Sequence, residues 1–113
     1  MADVTKTATV VIPAGVDPAT PQTAVLTADV YFFQNNERKM IHVVNGGGSP
    51  TVCTVVTPAT IAGLAIAELA VTIPAGEERF LGPFPRSPYN DGTGRVSWSY
   101  DVQTSVTHSV IEI

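Results

Sequence analysis

Glycine and proline recur along this chain at intervals of about ten to fifteen residues, a spacing typical of short strands joined by turns. The runs between these turns are rich in valine and threonine, which favour extended backbone, and they show no convincing helical periodicity. A chain of 113 residues has room for one domain with one hydrophobic core. The sequence therefore predicts an all-β fold, a single-domain antiparallel β-sandwich or small barrel of about seven to eight strands with an extended N-terminal arm.

Alternation of apolar and polar residues is clearest in residues 95–102, where Val96, Trp98 and Tyr100 are expected to face the core. The other strands are predicted from the same alternation and from the turn residues that flank them. These strands span residues 7–12, 24–33, 39–45, 51–57, 68–73, 78–82 and 105–113.

Turn and proline residues predict the connections between these strands. The polar residues 34–38 predict a hairpin turn, and residues 63–67 favour a loop that leads into the next strand. Residues 82–89 contain three prolines and cannot form an inner strand, because proline lacks the N–H that a sheet requires. Residues 1–22 are predicted to form a strand followed by a proline-containing arm, and residues 23–113 to form the β-sandwich domain.

Segments that cannot join a sheet are expected to contact partners. Adjacent aromatic residues on a strand face both ways, so at least one of Tyr31, Phe32 and Phe33 leaves its sheet face. That residue either enters the edge of the core or meets a partner surface, and Phe33 is the interface candidate. Phe84 and Tyr89 lie in the proline-rich loop and pack either on their own sandwich or on a neighbouring protein. The candidate protein-interface residues are Pro13, Val16, Pro18, Pro21, Phe33, Phe84, Arg86 and Tyr89.

The residue types offer no constellation for catalysis, for a cofactor or for a metal, and we expect a protein that is not an enzyme. Only His42 and His108 are available as histidine bases, and Cys53 lacks an activating neighbour in the sequence, which disfavours a Cys53–His42 dyad. One cysteine and two histidines cannot supply a structural zinc site. Glu77 and Glu78 are adjacent on a predicted strand and point to opposite faces, so they cannot flank one glycosidic bond.

Charge is sparse in this chain. Charged residues make up 14% of the sequence, and the six basic residues are scattered within a net charge of −4, which disfavours a nucleic-acid partner. No apolar stretch reaches the roughly 20 residues that span a bilayer, and residues 1–4 do not resemble a secretory signal. We therefore expect a protein made in the cytosol, with no membrane partner, whose weakly charged surface lies against other proteins.

Three groups of motifs stand out from residue 43 onward. The first is Val-Val-Asn-Gly-Gly-Gly at residues 43–48, followed by a Val/Thr strand and Thr-Pro-Ala-Thr at residues 57–60. The second and third groups comprise residues 63–65, 71–76, 79–84, 89–90, 92 and 96–100. In their order and spacing these motifs resemble a group of small proteins encoded in the head-gene region of tailed phages that infect actinobacteria and related hosts, whereas residues 1–22 match less clearly.

This resemblance implies a β-sandwich accessory virion protein, specifically a capsid decoration (cement) protein. Its implied partner is the major capsid protein, on the exterior of the capsid, after synthesis in the cytoplasm of the host bacterium. The resemblance also implies a homo-oligomer, with a trimer favoured, and carries over no catalytic residues. Two alternatives remain open: a head–tail connector or tail component, and a carbohydrate-binding module in which Trp98 or Tyr89 forms a stacking platform.

Overall fold

The structure, a computed structural model, describes residues 3–113, which form two five-stranded β-sheets that enclose one core, together with a separate two-stranded sheet. Seven strands contain four or more residues, and one short helical segment ends the proline-rich loop. In chain order the elements are β1 (Asp3–Thr5), β2 (Thr9–Val10), β3 (Thr23–Ala24), β4 (Val30–Gln34), β5 (Lys39–Asn45), β6 (Thr51–Val55), β7 (Thr60–Ile61), β8 (Leu64–Ala65), β9 (Leu69–Ile73), β10 (Glu78–Leu81), α1 (Arg86–Tyr89), β11 (Arg95–Tyr100) and β12 (Val106–Glu112).

Strand order defines the two layers of the sandwich. The first sheet has the order β1-β4-β11-β6-β9, and the second has the order β10-β5-β12-β2, with β3 also paired to β12. The predicted all-β sandwich is confirmed. Two short N-terminal strands run parallel to their neighbours, β1 to β4 and β2 to β12, so both sheets are mixed and not purely antiparallel.

The core lies between the facing surfaces of these sheets. Val96, Trp98 and Tyr100 are 0%, 0% and 4% exposed, which confirms the predicted inward face of β11. Ile41 and Val43 of β5 meet them from the second sheet and are fully buried. The inward faces of both sheets thus carry the large apolar side chains that the alternation assigned to them.

The predicted strand over residues 24–33 is wrong, because the chain turns within it and changes sheets. β3 pairs with β12 in the second sheet, whereas β4 pairs with β11 in the first. The Leu26 backbone N–H donates to the Tyr31 hydroxyl at 2.8 Å, which holds the turn closed. The hairpin predicted at residues 34–38 is also wrong, since these residues link β4 of one sheet to β5 of the other.

The segment 63–67, predicted as a loop, contains strand β8, which pairs with β7 in a small hairpin. Ile61 pairs with Leu64 across the turn, and the two turn residues Ala62 and Gly63 both have positive φ, at 53° and 80°. A two-residue turn of this kind matches the twist of the strands that it joins. The Thr57 hydroxyl donates to the Ile66 and Ala67 carbonyls, so β7 and β8 continue the β6–β9 hairpin past the end of the first sheet.

The proline-rich loop packs on its own sandwich. Phe84 is 3% exposed, and its ring contacts the rings of Phe33 and Tyr89 at centroid distances of 6.2 and 5.0 Å. The buried Asn35 amide donates to the Phe84 carbonyl at 3.1 Å and to the Asn90 side-chain oxygen at 2.6 Å. The loop is therefore held by packing and hydrogen bonds in place of the sheet pairing that its prolines prevent.

Candidate protein interface

The N-terminal arm, defined here as residues 11–22, crosses the outer face of the second sheet between β2 and β3. Its start is fixed by the Val11 N–H, which donates to the Glu112 carbonyl at 2.9 Å. A turn follows in which the Gly15 N–H donates to the Ile12 carbonyl, and Gly15 adopts a φ of 95° that favours glycine. The arm therefore lies against the domain and does not project from it.

Gln22 fastens the far end of the arm to the sheet. Its amide Nε2 donates to the Ser109 hydroxyl at 2.9 Å and to Nδ1 of His42 at 3.1 Å. Because Nδ1 accepts this hydrogen bond, the proton of a neutral His42 lies on Nε2, which donates to Glu78 at 2.9 Å. His42 is only 3% exposed, since the ring of Phe80 stacks on it at a centroid distance of 4.4 Å.

Replacing Gln22 with alanine is expected to loosen the arm without unfolding the sandwich. The substitution removes the hydrogen bonds to His42 and Ser109, and a buried bond of this kind contributes about 1 kcal/mol. Hydrogen exchange at the arm amides of Gly15 and Thr20 should then become roughly tenfold faster. Gln103→Ala is the matched control, because it removes the hydrogen bonds of a glutamine side chain to Thr27, a residue outside the arm. Unchanged exchange in the arm of Gln22→Ala would show that other contacts hold it.

Two clefts open beside the arm, with Pro18 between them. The first has a volume of about 290 Å³ and combines apolar walls with the polar groups of Gln22, His42 and Glu78. The second has a volume of about 160 Å³ and is formed entirely by side chains without charge. Its lining residues are Val11, Val16, Pro18, Phe80 and Ile111.

Four exposed apolar residues form what we call the apolar rim: Val11 and Phe80 line the second cleft, and Val10 and Ile12 flank Val11 in the chain. Val10, Val11, Ile12 and Phe80 are each between 46% and 58% exposed, which is unusual for such large apolar side chains in neighbouring positions. The sequence prediction missed these four residues because it assigned the apolar positions of strands to the core. For Phe80, strand alternation was the signal available in the sequence. Leu81 occupies the inward face, so its neighbour Phe80 faces outward, where it lies opposite His42 of β5.

The eight predicted interface residues fall into three environments. On the arm, Pro13 and Pro18 are exposed, whereas Val16 and Pro21 are half-buried against the sheet. In α1, Arg86 is exposed and pairs with Glu37 at 3.2 Å, and Tyr89 is half-buried against Phe84. The remaining two are Phe33 and Phe84, and their assignment to an interface is wrong, because both are buried in the core between the sheets.

A cluster of polar side chains lies inside the core, away from these clefts. The Tyr100 hydroxyl lies 2.7 Å from Nδ1 of His108, and the Trp98 indole N–H donates to both groups at 3.0 and 3.2 Å. Burial lowers the pKa of His108 to about 3 and raises the pKa of the Cys53 thiol to about 12. Each of these four side chains is at most 4% exposed, so the cluster has no access to a substrate and serves the packing of the sandwich.

Cys53 and His42, the pair considered for nucleophilic chemistry, do not meet. Cys53 lies in the core on β6 of the first sheet, whereas His42 faces outward from β5 of the second sheet. Within residues 3–113, no group of three or more His, Cys, Asp or Glu side chains is placed to hold a metal ion. The same residues contain no helix long and apolar enough to cross a membrane.

The protein is thus a small β-sandwich whose arm docks on the outer face of the second sheet and leaves two clefts beside it. Comparison with protein-family models, with curated proteins and with solved structures finds no match to this chain.

Proposed function

We propose that this chain is a structural virion protein that decorates and stabilises a phage capsid. The observation that supports it is the concentration of exposed apolar side chains at the second cleft, which favours burial against another protein. Val11 and Phe80 line this cleft and are 46% and 58% exposed, and Val10 and Ile12, which flank Val11 in the chain, are 53% and 51% exposed. The resemblance of residues 43–100 to phage head-region proteins supplies the kind of partner, the major capsid protein. The proposed site is the outer face of the second sheet.

The proposed mechanism is cross-bridging of neighbouring capsid subunits. Burying apolar area at the rim adds attachment that resists the internal pressure of packaged DNA. Many copies bound to a symmetric shell add avidity, so each single contact can be modest. The low fraction of charged residues is compatible with this role, since few charges must lose their hydration when the surface is covered.

Co-sedimentation with purified capsids that lack this protein tests the proposal. We expect the wild-type chain to saturate the capsids, and Ile12→Asp to lower occupancy at least about tenfold, because it places a charge in the buried contact. Leu26→Asp is the matched control: Leu26 is similarly exposed, at 48%, but lies outside the rim. A point variant is preferable to deletion of the N-terminal segment, because β1 pairs in the first sheet and β2 in the second.

Two outcomes would contradict the proposal. A wild-type chain that remains in the supernatant with intact capsids does not decorate them. Copies confined to a single ring at one vertex in electron micrographs, in place of copies over the whole shell, would favour the head–tail connector.

A carbohydrate-binding module is the second candidate, but through other residues than expected. Trp98 is fully buried in the core and offers no stacking platform, and Tyr89 packs edge-on against Phe84. Phe80 is 58% exposed, however, and lies on the same outer face as the Glu78 carboxylate beside the first cleft. An aromatic ring next to a carboxylate is a common arrangement for binding sugars. Retention on host cell-wall glycans that Phe80→Ala abolishes would favour this function over capsid binding.

A further inference from the structure

The tip of the β7–β8 hairpin is the most exposed apolar feature of the described chain. Ile61 and Leu64 are 70% and 71% exposed, and they form the cross-strand pair directly next to the turn, so both side chains lie on the same face. Every residue of β7 and β8 is exposed. A two-stranded hairpin without support is marginally stable in water, so these features indicate a tip that a partner covers.

The turn at this tip carries backbone strain that an alternative sequence would avoid. Ala62 has a φ of 53°, in the left-handed region where a side chain is disfavoured, whereas a two-residue turn usually has asparagine, aspartate or glycine at this position. Strained residues are concentrated at sites of recognition. The strain is therefore a second feature of the tip that points to contact with another molecule.

The second cleft offers a surface of matching size and chemistry on the same chain. No charged residue occurs in residues 56–67 around the tip, and none lines the cleft. A volume of about 160 Å³ equals roughly five water molecules at about 30 Å³ each, enough space for a branched aliphatic side chain. Joining these two surfaces therefore buries apolar area on both sides without removing a charge from water.

One copy cannot fill its own cleft. The hairpin extends from β6 and β9 of the first sheet, whereas the cleft opens on the outer face of the second sheet, the side facing away from the first. We infer that the Ile61/Leu64 tip of one copy inserts into the Val11/Val16/Phe80 cleft of a second copy, which gives a head-to-tail contact. Repeating such a contact closes a ring or extends a filament.

This inference specifies the homo-oligomer of the proposed function, but it does not require a capsid. Because Val11 and Phe80 belong to both proposed contacts, a copy whose cleft holds a tip offers the capsid only the rim residues outside the cleft, Val10 and Ile12. The contact is small, so we expect it to be weak in solution and to depend strongly on protein concentration. Sedimentation of the full chain without capsids therefore tests the self-association, and failure of capsid binding in the separate experiment above would leave this result unaffected.

Two defective variants isolate the two surfaces. Ile61→Ser combined with Leu64→Ser removes the apolar tip, and Val11→Asp places a charge at the rim of the cleft. Each variant alone is expected to associate at least about tenfold more weakly than the wild type, as for loss of a central contact. Leu26→Asp, an exposed position on neither surface, should associate like the wild type. Circular dichroism and thermal unfolding show whether each variant keeps the fold.

Mixing the two defective variants provides the decisive result. In an equimolar mixture, the intact tip of Val11→Asp still fits the intact cleft of the tip variant, so dimers should form that cannot grow further. A two-fold symmetric contact that uses one patch on both copies would not be restored in this way. The inference is overturned if the wild type remains monomeric up to millimolar concentration, or if the mixture remains monomeric while the wild type associates.

Discussion

Acidification from pH 7 to pH 4 is expected to lower the free energy of unfolding by about 3 kcal/mol through His108 alone. His108 is fully buried, and desolvation, together with the charge of Lys6, lowers its pKa from 6.5 to about 3. Nδ1 of His108 faces the Tyr100 hydroxyl and the Trp98 N–H, and its Nε2 has no hydrogen-bond partner. Protonation of Nδ1 would place a charge in this core, would remove the acceptor of the Trp98 N–H and would leave Nε2 still without a partner.

The direction of this change in stability follows from the number of protons bound in the folded and unfolded states. Between pH 6.5 and pH 3 the unfolded chain has a protonated His108, whereas the folded chain keeps the ring neutral. The unfolded state therefore binds about one more proton than the folded state. In the middle of this window, the free energy of unfolding decreases by about 1.4 kcal/mol for each unit by which the pH falls. The stability that depends on a neutral His108 is fully present above pH 6.5 and is lost as the pH falls towards 3.

Urea denaturation at pH 7, 6, 5 and 4 measures this effect in the wild type and in His108→Gln. Glutamine cannot titrate, but its amide oxygen can accept a hydrogen bond in place of Nδ1. The two proteins differ only at residue 108, so the difference between their pH slopes reports His108. Equal slopes would show that the buried ring does not resist protonation.

The local alternation of apolar and polar residues predicted the strands that pair regularly with their neighbours in the sheet. β5 was predicted with its observed bounds, and β9 and β11 within two residues, because inward and outward residues alternate along them. β10 was predicted within one residue from the turn residues that precede and follow it. The change of sheet inside residues 24–33 was not predictable in this way. At this turn the Thr27 N–H donates to the side chain of Gln103, a residue 76 positions away. Such long-range partners leave no periodic signal in the sequence.

The sequence predicted which segment, the arm, would contribute to the candidate interface, but it did not predict which side chains would form the exposed surface. Prolines identified the arm, yet the contact that docks it joins Gln22 to Ser109 across 87 positions. The exposure of Val11 and Phe80 follows from that docking, because the arm covers part of the sheet and leaves the rest as clefts. A sequence pattern separates inward from outward residues, but it does not show which outward residues a distant segment will cover.

The proline-rich loop illustrates the same limit, and alanine substitution of Phe84 is expected to cost about 3–5 kcal/mol of stability. Its ring is 3% exposed and contacts Phe33 and Tyr89, so its removal leaves a cavity that the sheets cannot close. Arg86→Ala, two residues further along, is expected to change stability by less than about 1 kcal/mol. The Arg86 side chain is 75% exposed, and its pairing with Glu37 is a surface ion pair.

Chemical denaturation of the two variants therefore separates a core role from an interface role on a single loop. A domain of this size is stabilised by about 5–15 kcal/mol, so Phe84→Ala should shift the midpoint far towards low denaturant and still fold at low temperature. Capsid occupancy measured at that temperature then reports binding and not folding. If Phe84→Ala is as stable as Arg86→Ala, the ring does not belong to the core. If it is unstable yet binds capsids normally while folded, its contribution is confined to packing, and the arm and β10 remain the proposed contact surface.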